Sequence, residues 1–433
     1  MRRLSRAPFA AIRLRERGAV SAIFAFLLAG GVVMGMLAMT IDVGGIWLER
    51  RELQNGADAA SMALADICAR DATKCDPTQT PSTLDPLLDA NAGKDHASQL
   101  DTRSGTVKGQ CAREPGSTNF PGMPECESAS TTAAITDLTK CPPLPTWLKN
   151  AAGMPYVETY SRTETASGST ILPKYFSELL VGGGADASVT ACARAAWGVP
   201  GSYTSTVPIT FSACEWKKQT AGGTNYVSEG PTGAKPGYGP GQSTWPAPSR
   251  ETVITLHDPN DESNDCMWNG KDTAGGFGWV DASNCVAQVT SGGWAQIDTG
   301  NNVPQSCKDK LPGLVGTVIA LPVFDCLVAS HGTPSGAPPT TPGACDPTQR
   351  DSSGNNTYYH IAGWAKFYLS GYKLSGQGQS SILPGGQTSC PAGGGSRCLF
   401  GWFLKGSLDP DSGSIVPPGG TNDFGTYQVL PAG

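Results

Sequence analysis

Residues 18–41 read GAVSAIFAFLLAGGVVMGMLAMTI, a stretch without a single charged side chain. Wound as a helix it would be about 36 Å long, enough for a hydrocarbon layer of about 30 Å. It is too long for the apolar core of a cleavable leader, and no small-x-small cleavage site closes it. Arg2, Arg3, Arg6, Arg13, Arg15 and Arg17 precede it, whereas only Arg50 and Arg51 follow closely. The positive-inside bias makes residues 1–17 a cytoplasmic basic head and 18–41 a single-pass transmembrane helix. Everything beyond is then extracellular or periplasmic. Gly31 and Gly35 form a G-x-x-x-G pair, a spacing that lets two apolar helices approach and suits a helix-mediated oligomer.

Cysteine usage agrees with export. The 14 cysteines are Cys68, Cys75, Cys111, Cys126, Cys141, Cys192, Cys214, Cys266, Cys285, Cys307, Cys326, Cys345, Cys390 and Cys398, all beyond the apolar run. An even, dispersed set in a Gly- and Pro-rich chain reads as a disulfide framework, with on the order of 10⁵ formal pairings. Two neighbouring pairs repeat one spacing, so Cys266–Cys285 and Cys307–Cys326 are expected as local loops. The 55 glycines and 34 prolines favour turn-rich strand architecture over helical bundles. The head carries six arginines and one glutamate, +5, so the chain's net charge of −6 leaves −11 on the remainder. An acidic exterior argues against a nucleic-acid partner.

After the apolar run, residues 42–71 read DVGGIWLERRELQNGADAASMALADICARD, rich in good helix formers. Ile46, Leu53, Ala57, Ala60, Leu64 and Ile67 fall on one helical face, and Trp47 suits a membrane interface. A juxtamembrane helical stalk over 42–71 follows, ending before Pro77. The Leu53-Ala57-Ala60-Leu64 stripe suits close packing, either on a partner helix or on the chain's own outer domain.

The order Arg17-Gly18-Ala19-Val20, apolar span, Ile41-Asp42-Val43-Gly44, then Leu53-Gln54-Asn55-Gly56-Ala57-Asp58-Ala59-Ala60 resembles the N-terminal region of TadE/TadG-like proteins of the tight-adherence (Tad, or Flp) pilus system. Ala191-Cys192-Ala193-Arg194-Ala195-Ala196-Trp197-Gly198 and Phe211-Ser212-Ala213-Cys214-Glu215-Trp216 resemble exported regions of TadG-related proteins. The resemblance implies a membrane-anchored, non-enzymatic component of pilus assembly or surface attachment, with other assembly proteins or pilin subunits as partners. Two features depart from the family. Gly18 is followed at the prepilin-peptidase distance by Ile23, not Glu, and then by Phe24, so cleavage after Gly18 is not expected. The nearest match to a von Willebrand-type metal motif, Asp281-Ala282-Ser283-Asn284-Cys285, has cysteine where a hydroxyl oxygen is needed, so no such site is expected.

Downstream, residues 72–187 read as a loop-rich, cysteine-stapled segment with a helix near 83–97. Residues 188–433 read as a mainly β exported domain. Strands are expected at 188–197, 205–214, 252–257, 276–280, 286–289, 295–297, 314–320 and 398–403. The clearest is 357–369, with Tyr359, Ile361, Gly363, Ala365, Phe367 and Leu369 on one face. The fold class is therefore α+β: one transmembrane helix, a helical stalk, and a disulfide-rich β region.

No H-E-x-x-H, G-x-S-x-G, phosphate-loop or dinucleotide motif is present, and His96, His257, His331 and His360 lack metal-ligand spacing. His360, within the clearest strand, reads as structural. Asp258, Asp261, Glu262 and Asp265 form an acidic turn that could gather oxygens around Ca²⁺ but lacks EF-hand spacing. A solvated turn is the expectation, with no metal and no cofactor. Two other function classes remain. One is a surface module that holds glycan or protein through Trp268, Trp279 and Trp294; the other is an exported hydrolase built from scattered carboxylates.

Overall fold

The structure, a computed structural model, describes residues 17–30, 32–91, 96–100, 109–113, 120, 123–126, 141–165, 189–226, 250–255, 267–268, 271–272, 277–280, 284–296, 303, 305–328, 358–390, 397–408, 414–418 and 422–433. The chain enters through helix α1, Arg17–Ala29, and continues into helix α2, Val32–Arg70. At about 1.5 Å per residue, the 39 residues of α2 span about 58 Å. No proline interrupts it, and Ala, Leu, Glu and Gln lose little side-chain freedom in a helix. Its end is marked by Asp71, whose carboxylate accepts from the Thr73 backbone N–H at 3.0 Å and starts a short 3₁₀ turn. The Cys68–Cys75 disulfide closes that turn. Helix α3, Pro81–Asn91, then folds back and buries Leu84 and Leu88 against α2. It begins and ends earlier than the helix expected near 83–97.

The apolar run is divided between two helices. α1 has 13 residues, about 20 Å, and α2 meets Asp42 and Glu49 soon after its start. No helix among the described residues is long and apolar enough to cross a membrane.

Two sheets form the body. The first draws on β1, His96–Leu100, β2, Gln110–Arg113, β3, Tyr156–Thr165, and β4, Thr190–Pro200. Its order is β1, β3, β4, the C-terminal strand Thr426–Pro431, then Gly406–Ser407; β2 also pairs with β3, and Ile415–Val416 with β4. The sheet thus unites strands from both sides of residue 188. β3 lies in the segment read as loop, because Thr, Ser, Glu and Arg alternate along it and mask its apolar face. The C-terminal strand, six residues in a Gly- and Pro-rich tail, was also not expected.

The second sheet runs Phe277–Trp279, Ile209–Ser212, Thr317–Val328, Tyr358–Leu374, Cys398–Leu404 and Thr252–Thr255, with Gly293–Gln296 and Gln377–Gln379 also on the long strand. Each expected strand has a counterpart here or in the first sheet, except that 288–290 pairs separately with Ser202–Thr204. The expected strand 205–214 gives way at Ser212, which caps the helix Ala213–Gln219 through the Glu215 N–H at 3.0 Å. The Tyr358–Leu374 strand buries both faces, so its core is broader than the one-sided pattern suggested. Phe211 packs on Phe367 and Phe403 with ring centroids 5.0 and 5.1 Å apart. The two sheets meet where Thr426 Oγ1 donates to the Trp364 carbonyl at 2.7 Å. A Cβ at Gly363 would lie 2.6 Å from the Asn422 carbonyl, so only glycine allows this approach.

Candidate assembly surface

Helix α2 has two environments along one rod. Among the described residues, fourteen large apolar side chains are exposed; twelve of them, from Val20 to Leu48, lie on α1 and the first half of α2. Phe26 is 81 % exposed and Met36 68 %. Large apolar side chains in such density mark a surface that meets something apolar. Gly35 lies in this section, half-exposed, and Gly31 falls outside the described residues.

From Leu53 onward one face of the rod is buried. Leu53 and Ala57 pack with Val189, Ala191 and Ala193, while Ala60 and Leu64 pack with Val157, Ala195 and Trp197. Alanine on the helix and on β4 lets the two backbones come close enough for side chains to bond across. Thr159 Oγ1 donates to the Ala57 carbonyl at 2.9 Å, Ser161 Oγ to the Leu53 carbonyl at 3.3 Å, and Gln54 Nε2 to the Cys192 carbonyl at 3.0 Å. Tyr427 of the C-terminal strand donates to Asp66 at 2.8 Å, with burial first among the causes that push its phenol up to about 12. Leu53, Ala57, Ala60 and Leu64 therefore form an intramolecular docking face. As residues for association with another helix they are corrected: the sheet already occupies them. The segment 42–71 is no free stalk, since its second half belongs to the body.

The cysteines also correct one expectation. Cys285 pairs with Cys307, which rules out both Cys266–Cys285 and Cys307–Cys326. The other described pairs are Cys68–Cys75, Cys111–Cys126, Cys141–Cys192 and Cys390–Cys398. Cys214 is disulfide-bonded. Cys266 and Cys345 lie outside the described residues, as does the Cys326 side chain.

Several buried charged groups among the described residues are held by hydrogen bonds. Arg194, 2 % exposed, donates through Nε to Glu158 Oε1 at 2.8 Å and through Nη2 to the Pro142 carbonyl at 3.0 Å. Tyr160 donates to the other Glu158 oxygen at 2.6 Å. Glu251 accepts from Ser370, from Ser381 and, at 2.7 Å, from the Gln387 N–H. These anchors were missed, although an arginine amid the apolar residues of ACARAAW signals a buried partner. His360 Nδ1 lies 2.6 Å from Asp325, and that hydrogen bond holds the imidazole above its ordinary value. Its ring packs on Trp294 at 5.0 Å, as a structural histidine would.

Glu158 lies close to the sulfurs of Cys111 and Cys126 and of Cys141 and Cys192. Those sulfurs are spent in disulfides and the carboxylate is held by Arg194, so this chemistry does not suit a metal. Asp258, Asp261, Glu262 and Asp265 lie outside the described residues, as does Asp281. Trp279 is buried in the core, not displayed, and the Trp268 side chain is outside the described residues.

No curated protein and no solved structure matches the chain. Residues 18–66 match the Tad family model, Flp pilus-assembly TadE/G-like. The match covers the exposed apolar rod and the first turns of the docked section, and it ends before the β body. Over residues 18–66 the chain is similar to the TadE/G-like family of Flp pilus assembly.

Proposed function

We propose that the chain is a membrane-anchored, non-enzymatic structural component of a Tad-type pilus or related attachment machine. The observation that carries this reading is the set of exposed apolar side chains on α1 and the first half of α2, from Val20 to Leu48, with α2 continuing without a break into a disulfide-stapled body. Gly30 still donates its N–H to the Phe26 carbonyl at 2.7 Å, so α1 keeps its helical bonding up to the junction. Together α1 and the start of α2 supply the length that neither has alone. The arginine-rich head then stays inside and the acidic, disulfide-rich body outside. Gly31 and Gly35 serve as the close-approach point for a second apolar helix, from another copy or an assembly partner.

The non-enzymatic part of the reading draws on the fate of the buried carboxylates. Glu158 is committed to Arg194 and Tyr160, and Glu251 to two hydroxyls and a backbone N–H. Acid–base work calls for carboxyl groups free to take up and release protons at a substrate. Protease added to spheroplasts should digest the outer body and spare the head, and the mature N-terminus should precede Gly18. Deleting the gene should abolish surface filaments, and the full chain should restore them. A chain processed after the apolar run, or normal filaments without the gene, overturns the reading.

A further inference from the structure

On α2 the apolar surface ends and the folded body begins within two helical turns. Trp47 and Leu48 are the last exposed apolar side chains of the rod, Glu49 is 5 % exposed and Leu53 1 %. The six-residue step from Trp47 to Leu53 rises about 9 Å. The headgroup layer on each side of a bilayer is about 5–8 Å deep, taken from total and hydrocarbon thicknesses. If the rod is the anchor, as proposed above, no spacer separates the bilayer from the body.

The side chains displayed in that interval are specific in kind. Arg50 and Arg51 are exposed, and among the described residues neither has a carboxylate partner. The Arg51 guanidinium sits over the Trp47 ring, 5.9 Å from its centroid, which turns the cation back toward the apolar end. Glu49 is turned inward and Glu52 is half-buried, so the outward face is cationic in a region otherwise acidic. Tryptophan prefers the headgroup level, and exposed guanidinium groups there match phosphate.

We propose that Trp47, Arg50 and Arg51 form a collar that binds the phosphates of anionic phospholipids and seats the body directly on the outer leaflet. The inference rests on the anchor reading, and one experiment separates their failures. The full chain is reconstituted into vesicles of phosphatidylcholine with phosphatidylglycerol, and association of spin-labelled forms of the two lipids is compared. Wild type should favour phosphatidylglycerol, and Arg50→Gln with Arg51→Gln should lower that preference by roughly fivefold per arginine. The basic head is unchanged in this variant, so its own attraction for anionic lipid cancels in the comparison. Arg50→Lys with Arg51→Lys should retain most of the preference, which guards against an effect of misfolding. A protein that does not float with these vesicles refutes the anchor reading. A protein that floats normally, with the same selectivity in the Gln variant as in wild type, refutes the collar alone.

Discussion

Arg194 and Glu158 show how a residue-scale feature governs the body. A guanidinium in the middle of a buried strand is tolerable only with its hydrogen bonds met, and Glu158, Pro142 and Ala432 meet them. Removing one partner strands the other charge, so Glu158→Ala should cost about 3–5 kcal/mol in denaturant unfolding of the solubilised chain. The same change in an Arg194→Met background should cost far less, because no buried cation is left unpaired. His360 gives a pH dependence. Its folded value is raised by the Asp325 hydrogen bond, so the imidazolium binds more tightly in the folded state. The stabilisation is complete below the ordinary value of about 6.5 and fades as pH climbs through the higher folded value. Unfolding midpoints measured from acid to alkaline pH should show this loss in wild type and not in Asp325→Asn.

At the scale of the element, α2 is one helix with two solvents. Its docked face carries Leu53, Ala57, Ala60 and Leu64, all under 2 % exposed. Ala57→Glu with Ala60→Glu would push carboxylates into the contact with β3 and β4, at a cost of several kcal/mol. The outer body should therefore open, with rapid proteolysis and disulfides that yield to mild reductant. A stripe reserved for another chain would leave the body folded. Gly35→Leu, in the exposed section, should leave the unfolding midpoint unchanged. The stripe itself was legible from its spacing. Its occupant was not, because periodicity reports which face is apolar and says nothing of what covers it.

The whole molecule is closed by its last strand. Thr426–Pro431 lies between β4 and Gly406–Ser407, and the backbone of Arg194 exchanges hydrogen bonds with Ala432 and Gly433 at 2.8 Å. Removing residues 426–433 should leave β4 with an open edge and a half-exposed core, giving aggregation and no protease-resistant body. The disulfide framework makes a separate prediction. No described cysteine is free, so thiol counting on the denatured, unreduced protein should find at most two, from cysteines whose side chains lie outside the described residues. Replacing Cys285 and Cys307 together should lower stability by about 2–5 kcal/mol, read as the unfolding midpoint.

By itself the sequence determined the apolar run, the helix behind it, most strands of the second sheet and the likeness of residues 18–66 to TadE/G-like proteins. Each of these is written in local order: an uncharged stretch, a 3.6-residue period, a two-residue alternation, a string of motifs. Only the tertiary structure decided that the stripe docks on β3 and β4, that Cys285 chooses Cys307, and that the C-terminal strand completes a sheet begun near residue 96. Those are choices among partners far apart in sequence. Their energy depends on which surfaces come together in space, and no local spacing records it.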